Sequence, residues 1–480
     1  MKTKSSLYLW GLVASFGLYS VASYLLLLRD DFFLERFSIA LAAPQFLTIT
    51  RHWASITHAN WLSILLLTIS IIASFYFYFK IISPPIPVSL PHLSWIKWLL
   101  PLVFLALISY PGLSTDVFDY INTNRVAFIH HSNPWVTPPQ NFPQDSLIYF
   151  GSWNFRASVY PPLMFAFSSL VYFVFGTSVV LSIIGFKLLN LVLWALLIYL
   201  MWRLTPSKNL WAFMAFAFNP LVLIEFLGNA HNDLTMALPI FIGFGLFYRR
   251  RYLLAGLVLG LGFLTKFTLA LYLPLLIAVL FIKFSYRSIF KLISGFTITV
   301  LIGLSLLGDS ASYLFANLGT QFQLYLQSLP TIIRFFLLQT LGQTHDPLAI
   351  SIQKGLNLPL LALFVYFSLH SINLHRLADR SVYLMILYLT VSAPMLQPWY
   401  AIWYLPLLLF VTSIKIRHAA LVFTFSLMLH YLVRNFSLYF WPNSFTWQII
   451  IYLTMALPPL FILFAKKPWY TRVSRLFNSL

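Results

Sequence analysis

Apolar runs of about twenty residues recur from one end of the chain to the other, each long enough to cross a hydrocarbon core of roughly 30 Å. Backbone groups in such a medium must pair within their own segment, so these runs predict helices and exclude an open sheet. Charge agrees with this reading: 60% of the residues are hydrophobic and only 9% are charged, against roughly 25% charged in a soluble protein. The 15 Trp and 26 Tyr suit belts at the two membrane interfaces. The fold class predicted is an all-α polytopic membrane protein.

A net charge of +19 on a soluble chain would suggest nucleic acid. Here the Lys and Arg residues sit in short clusters between apolar runs, so membrane lipids are the expected partner and nucleic acid is not. The absence of cysteine excludes a disulfide framework and a Cys-ligated metal site. Lys2 and Lys4 precede an apolar run reaching Leu28, with no small-residue cleavage site before Arg29. That run is too long for a signal-peptide core and reads as an uncleaved signal-anchor.

With the N-terminus inside, spans fall near 6–28, 60–82, 93–112, 179–202, 210–228, 234–248, 252–266, 268–283, 288–307, 347–370, 381–396, 401–414, 418–434 and 447–465. The basic clusters Lys80/Lys97, Arg203/Lys208, Arg249–Arg251, Lys283/Arg287/Lys291, Arg376/Arg380 and Lys415/Arg417 then share the cytoplasmic side with the tail residues Lys466, Lys467, Arg472 and Arg475. Every basic cluster after the first span thus obeys the positive-inside rule, apart from Arg29, Arg36 and Arg51 near the start. Both termini are expected to be cytoplasmic, in the inner (plasma) membrane. Segment 159–176 is apolar, but counting it as a span would invert everything after it. Its Pro161–Pro162 start suits a helix lying at the membrane surface. The outer face then owns loops 113–178 and 309–346 and the turns 229–233 and 397–400. Loops longer than about 15 residues are usually functional or disordered, and the aromatic content of these two argues against disorder.

The polar residues concentrate in those outer segments. Asp116 and Asp119, three apart with Tyr120 beside them, share a face if the stretch is helical. Two close carboxylates raise the proton affinity of one, as a general base requires; a Ser114–Thr115–Asp116 helix cap is the plainer alternative. With only 11 acidic residues in the chain, two in one short motif near lipid carry weight. Asn229-Ala-His231-Asn232-Asp233 offers donors and acceptors matched to sugar hydroxyls, although Asn232 or Asp233 also suits a cap for the helix at Leu234. A metal held by His231 and Asp233 alone is a weak case. No metal or other cofactor is expected, a divalent ion being conceivable but unsupported by the sequence. Arg125, Arg156, Lys266 and Arg334 are isolated cations on the outer side, suited either to snorkelling or to pairing with a lipid phosphate. Gln397, Trp399 and Tyr400 belong to an aromatic belt or to a sugar-stacking surface. Glu225 and Lys187 lie inside spans and are expected to pair within the helix bundle. The chain has no phosphate-cradling glycine loop, no metalloprotease helix signature and no Gly-x-Ser-x-Gly elbow.

In order along the chain stand the acidic motif Asp116–Tyr120, Asn133-Pro-Trp135, Tyr160-Pro-Pro-Leu163, the segment Asn219 to Asp233, Leu264-Thr-Lys266 and Pro398-Trp-Tyr400. This series resembles the GT-C superfamily of integral-membrane glycosyltransferases, especially the bacterial polyprenol-phosphate-mannose-dependent mannosyltransferases. The resemblance covers about 110–410, with His231-Asn-Asp233 its most specific piece. It implies a GT-C-like bundle of about 13–14 transmembrane helices, with juxtamembrane helices in the first outer loop. The segments are then an N-terminal pair (1–92), a catalytic core (93–414) and a C-terminal pair with a basic tail (415–480). It further implies an inverting transfer of a hexose, mannose by analogy, from a polyprenyl-phosphate donor to a glycolipid, polysaccharide or protein acceptor on the outer face. Asp116 is the implied base, with Asp119 its competitor. Tyr120, Arg125, Tyr160, His231, Asn232, Asp233, Lys266, Gln397, Trp399 and Tyr400 are the implied substrate contacts, Lys266 or Arg125 meeting the phosphate. A lipid-linked sugar flippase is the rival; it needs charges lining a mid-membrane cavity.

Overall fold

Helices form along the apolar runs of this chain, and three of them, Ile96–Ile108, Leu234–Tyr248 and Phe445–Phe464, continue through a Pro. The computed structural model describes residues 2–29, 59–83, 95–204, 210–321, 326–342, 346–369, 374–440 and 445–465. Expectations for Arg36, Arg51, Lys208 and the basic tail lie outside the described residues. Among the described residues there is no strand, only an isolated bridge between Leu326 and Met395. The protein is an all-α polytopic membrane protein. Among the described residues, seven helices are long and apolar enough for a full crossing, and six more apolar helices of 10–17 residues accompany them.

The chain forms two compact units, divided at residue 232 except that 159–164 belong with the second. In the first unit the helices are α1 (Lys2–Arg29), α2 (Ala59–Ile82), α3 (Ile96–Ile108), α4 (Asp116–Phe128), α5 (Pro162–Phe175, which begins in the second unit's segment), α6 (Val179–Leu204) and α7 (Trp211–Gly228). Helix α1 packs on α2 so closely that a Cβ at Gly11 would lie 2.4 Å from the Phe77 ring. Ser23 Oγ accepts from the Tyr110 N–H at 2.9 Å and Tyr24 donates to the Ile108 carbonyl at 2.6 Å, tying the end of α1 to the end of α3. The long segment 113–178 carries two helices, α4 and α5. The fourteen residues of α5 reach about 21 Å, short of a full crossing.

Helix α7, expected as one uninterrupted span, is broken twice. Phe218 ends its first segment; Asn219 then caps a new start by accepting from the Leu221 N–H at 3.0 Å, with Pro220 in the first turn. Pro lacks the donor that a continuous helix would need there. Residues Leu223–Gly228 then wind as a π-helix, a form that recurs at functional sites because it shifts side chains around the axis.

The second unit holds α8 (Leu234–Tyr248), α9 (Tyr252–Phe263), α10 (Leu273–Ile282), α11 (Tyr286–Ser305), α12 (Ser310–Gln321), α13 (Leu329–Leu341), α14 (Asp346–Gly355), α15 (Asn357–Leu369), α16 (Leu377–Leu387), α17 (Ile414–Phe440) and α18 (Phe445–Phe464). Three expected spans are not continuous helices. Segment 347–370 divides at Gly355–Leu356, segment 381–396 becomes a π turn and then extends at Ala393 before Pro394, and 401–414 is two 3-10 turns around Pro398 and Pro406. In each, a Gly or Pro at or just beyond the break removes helix stability or a backbone donor.

Helices α9 and α11 meet through glycines. A Cβ at Gly256 would lie 2.1 Å from the Leu292 carbonyl oxygen, and one at Gly295 would lie 2.3 Å from that of Leu253. Small residues let helix backbones approach where lipid supplies no hydrophobic drive. Gly256→Leu should therefore destabilise the purified protein by about 1–3 kcal/mol, read as a lower thermal midpoint in detergent. Gly17→Ala, whose Cβ meets nothing within 4 Å, should leave the midpoint unchanged or slightly raised.

Candidate active site

Asp116 opens α4, yet its carboxylate does not cap the helix. Thr115 occupies the cap position without a side-chain bond and contacts Ser152 Oγ at 2.6 Å instead. Asp116 Oδ2 faces His231 Nδ1 at 3.5 Å, and His231 Nε2 faces Glu225 Oε2 at 3.3 Å. A carboxylate, an imidazole and a second carboxylate thus stand in line. Asp116 keeps 18% of its side-chain exposure, whereas His231 and Glu225 keep none. Only the Asp116 end of the line reaches solvent.

Local structure builds this line in several steps. The π turn carries Glu225, and the His231 N–H closes back on the Glu225 carbonyl at 3.1 Å. Ala230 takes a φ of 60°, an uncommon conformation for a residue with a Cβ, which reverses the chain at once. Asn190 of α6 clamps the turn, its amide donating to the Phe226 and His231 carbonyls at 2.9 and 2.8 Å. Asn229 donates to Glu225 Oε2 at 3.4 Å and accepts from the Leu113 N–H at 3.3 Å, joining the turn to the approach to α4. Tyr120 Oη accepts from the Asn232 N–H at 3.4 Å. Lys187 donates to the carbonyls of Leu107 and Ser109. Asn190 lies near the middle of α6, about 20 Å of helix from the basic residue Arg203 at its C-terminal end.

Electrostatics separates the two aspartates. Asp119 is buried, accepts from the Trp153 N–H at 3.0 Å, and its second oxygen has no hydrogen-bond partner among the described residues. Burial and then the neighbouring Asp116 hold its carboxyl well above the usual range, with the Trp153 and Ser152 N–H groups offsetting part of this. Gly151 is required beside it, since a Cβ there would fall 2.1 Å from Asp119 Oδ1. For His231, burial favours the neutral ring. The Asp116 and Glu225 carboxylates outweigh that and raise it from 6.5 to about 9.

Arg125 lies nine residues along α4 from Asp116, ~13 Å by helix rise, and its guanidinium grips Asp145 with two bonds of 2.8 Å. His130 also reaches Asp145, at 2.9 Å. Arg125 and His130 lower the Asp145 carboxyl against the effect of its burial. Arg125 is therefore already engaged, joining α4 to the segment that carries Asp145.

In the second unit, Asp233 stands at the cap position of α8 without capping it. Its Oδ1 accepts from Trp403 Nε1 at 2.8 Å and pairs with Lys266. The Lys266 ammonium lies 5.4 and 5.6 Å above the Tyr400 and Trp403 rings, themselves stacked at 4.2 Å. Lys266, 24% exposed, is thus paired and caged. Trp399 meets Tyr400 edge-on at 5.9 Å, and the Gln397 amide donates to Gln327 at 3.5 Å. The chain just after Tyr160 is pinned beside this cluster: the Leu163 and Met164 N–H groups donate to the Leu264 carbonyl at 3.0 and 3.4 Å.

Sequence reading found Asp116, Asp119, Tyr120, His231 and Asn232 of the first cluster and missed Asn190. Its signal was faint, a lone amide inside an apolar run. Trp403 of the second cluster was also missed, hidden among neighbouring aromatics. Among the described residues, no group of three or more His, Cys, Asp or Glu side chains is arranged to hold a metal ion.

A family model described as alpha-(1->6)-mannopyranosyltransferase, N-terminal domain, matches residues 35–282. No curated protein and no solved structure matches the chain. The fold and this match define the class, a polytopic membrane glycosyltransferase with mannosyl transfer as its activity. Within that class the chain belongs to the MptA_B family, whose model spans more than half of it. The resemblance to GT-C mannosyltransferases drawn from the motifs is borne out.

Two stability outcomes follow from these environments. His231 binds its proton more tightly in the folded state, so its contribution is full below pH 6.5 and lost as pH rises through about 9. The wild-type thermal midpoint should fall across that window, and His231→Gln should flatten the slope. The raised Asp119 carboxyl costs stability once pH exceeds the ordinary 3.8. Asp119→Asn should therefore fold with a midpoint at neutral pH equal to or above that of the wild type, measured in the same detergent.

Proposed function

We propose that this enzyme is an inverting mannosyltransferase that takes mannose from a polyprenyl-phosphate donor. The acceptor is a glycolipid, polysaccharide or protein at the outer face of the plasma membrane. Asp116 is the base. The observation that supports it is the solvent-reaching carboxylate at the end of an otherwise buried carboxylate–imidazole–carboxylate line.

In this reading Asp116 removes the proton of an acceptor hydroxyl as that oxygen bonds to the anomeric carbon. The bond to the polyprenyl phosphate breaks on the opposite face, and the phosphate leaves with the electron pair. The transition state has oxocarbenium character, and inversion follows from the opposed faces. The phosphate is a good leaving group, so the step needs no strong acid. Asp119 fits a supporting role, because a buried carboxyl bonded to the backbone at Trp153 cannot reach an acceptor. The outer-face placement rests on the positive-inside pattern, with Lys97 and Arg203 at the ends of α3 and α6 remote from Asp116 and His231.

For the second unit, the Tyr400–Trp403 stack with Lys266 and Asp233 is proposed to bind saccharide or its anionic head group. Aromatic faces pack on sugar C–H faces, and the charged pair offers hydrogen bonds to hydroxyls. Tyr400→Ala should raise KM for one substrate several-fold with a smaller effect on kcat, measured by initial rates.

The deciding experiment uses purified protein, radiolabelled polyprenyl-phosphate mannose and an alkyl mannoside, whose C6 hydroxyl suits the family's linkage. Asp116→Asn should lower transfer by roughly 10²-fold or more with the thermal midpoint preserved, and Asp119→Asn should keep transfer within about tenfold of wild type. Undiminished transfer by Asp116→Asn removes the base assignment, and movement of the lipid-linked sugar across vesicles without transfer makes the protein a flippase.

A further inference from the structure

Glu225 is the least expected member of the line. A carboxylate with no exposed surface, in a segment apolar enough to cross a membrane, is costly to keep unless it has a purpose. Its one imidazole contact is His231 Nε2 at 3.3 Å, while the other ring nitrogen looks at Asp116. His231 itself has no exposed surface, so both faces of its chemistry are used inside the protein.

We propose that Glu225 is a positioning residue for the transfer reaction. It orients His231 so that Nδ1–H is directed at Asp116 Oδ2, leaving the exposed side of Asp116 to meet the acceptor hydroxyl. This rests on the reading of Asp116 as the base, and it assigns His231 to the base rather than to the sugar. The logic matches other bases held through an imidazole: a buried acid on one nitrogen fixes the ring and the atom that carries each proton.

The groups packed around the ring come from several helices. From α4 the ring is faced by Asp116, with Asp119 one turn further and turned toward Trp153. From α6 come Asn190, bonded to the His231 carbonyl, and Lys187, bonded to the Leu107 and Ser109 carbonyls. From α7 comes Glu225, with Asn229 donating to it and the Tyr19 hydroxyl of α1 in its field. Glu225 is thus the acid placed on the Nε2 side of the ring.

The experiment is the pH dependence of kcat for the full-length protein in detergent, with radiolabelled polyprenyl-phosphate mannose and the alkyl mannoside. Wild type should lose activity on the alkaline side as His231 gives up its proton, near pH 9. Glu225→Gln removes one of the two charges that hold that proton. Its alkaline limb should move at least one pH unit lower, with kcat down roughly tenfold at neutral pH. Glu225→Asp should restore the limb toward its wild-type position, and His231→Gln should abolish the limb. A wild-type profile that stays flat through the alkaline range overturns the proposal. So does a Glu225→Gln variant whose kcat falls uniformly with the limb unmoved, the signature of packing alone. If Glu225→Gln does not fold, Glu225→Asp decides: a limb below its wild-type position supports the proposal, and a limb unmoved from the wild type overturns it. Failure here with Asp116→Asn inactive leaves the base assignment standing, and an active Asp116→Asn removes both.

Discussion

Burying ionisable groups is expensive, and part of that cost falls where Asp116, His231 and Glu225 stand in line. An imidazole between two carboxylates offsets much of the penalty, because each charge has a partner at 3.3–3.5 Å in a medium that screens poorly. Removing either acid takes away one of the two carboxylates that face the ring. The rest of the first unit follows from keeping this line assembled. Asn190 clamps the turn from α6, Asn229 ties it to the segment before α4, and Tyr120 receives the next backbone N–H.

Irregular backbone makes that assembly possible. A regular α-helix through 211–228 would have placed Glu225 on a different heading; the Asn219–Pro220 restart and the π turn rotate it onto His231. Ala230, with its positive φ, then brings the chain back within three residues. The second unit uses the same device. Pro398 and Pro406 convert an apolar run into 3-10 turns, which set Trp403 and Tyr400 against Asp233 and Lys266. Glycine does the opposite work between α9 and α11, where the absence of a Cβ allows regular helices to touch.

Much of the site was legible as residue types. Asp116, His231 and Asp233 stood out because polar residues are scarce in so apolar a chain, and their order supported a family resemblance that the match to residues 35–282 bears out. Roles were less legible. Asp116 and Asp119 are equivalent by spacing, and only the contact with His231 and the burial of Asp119 against Trp153 tell them apart. Arg125 looked like a free cation, yet Asp145, twenty residues on, occupies it. Lys266 read either as a snorkelling side chain or as a partner for phosphate, and Asp233 and two aromatic rings hold it.

By itself the sequence determined that this chain is helical and lives in a membrane. Hydropathy and the need to pair every backbone group in lipid are local properties, readable in any window of twenty residues. It also placed most helix ends, through Pro, Gly and the basic clusters. Which acid meets which imidazole was decided by tertiary structure alone. Asp116 and His231 are separated by more than a hundred residues, and their approach depends on how α4, α6 and α7 pack and on a π turn with no sequence signature. Long-range contact of this kind is a property of the folded arrangement, since no local pattern encodes the distance between two side chains on different helices.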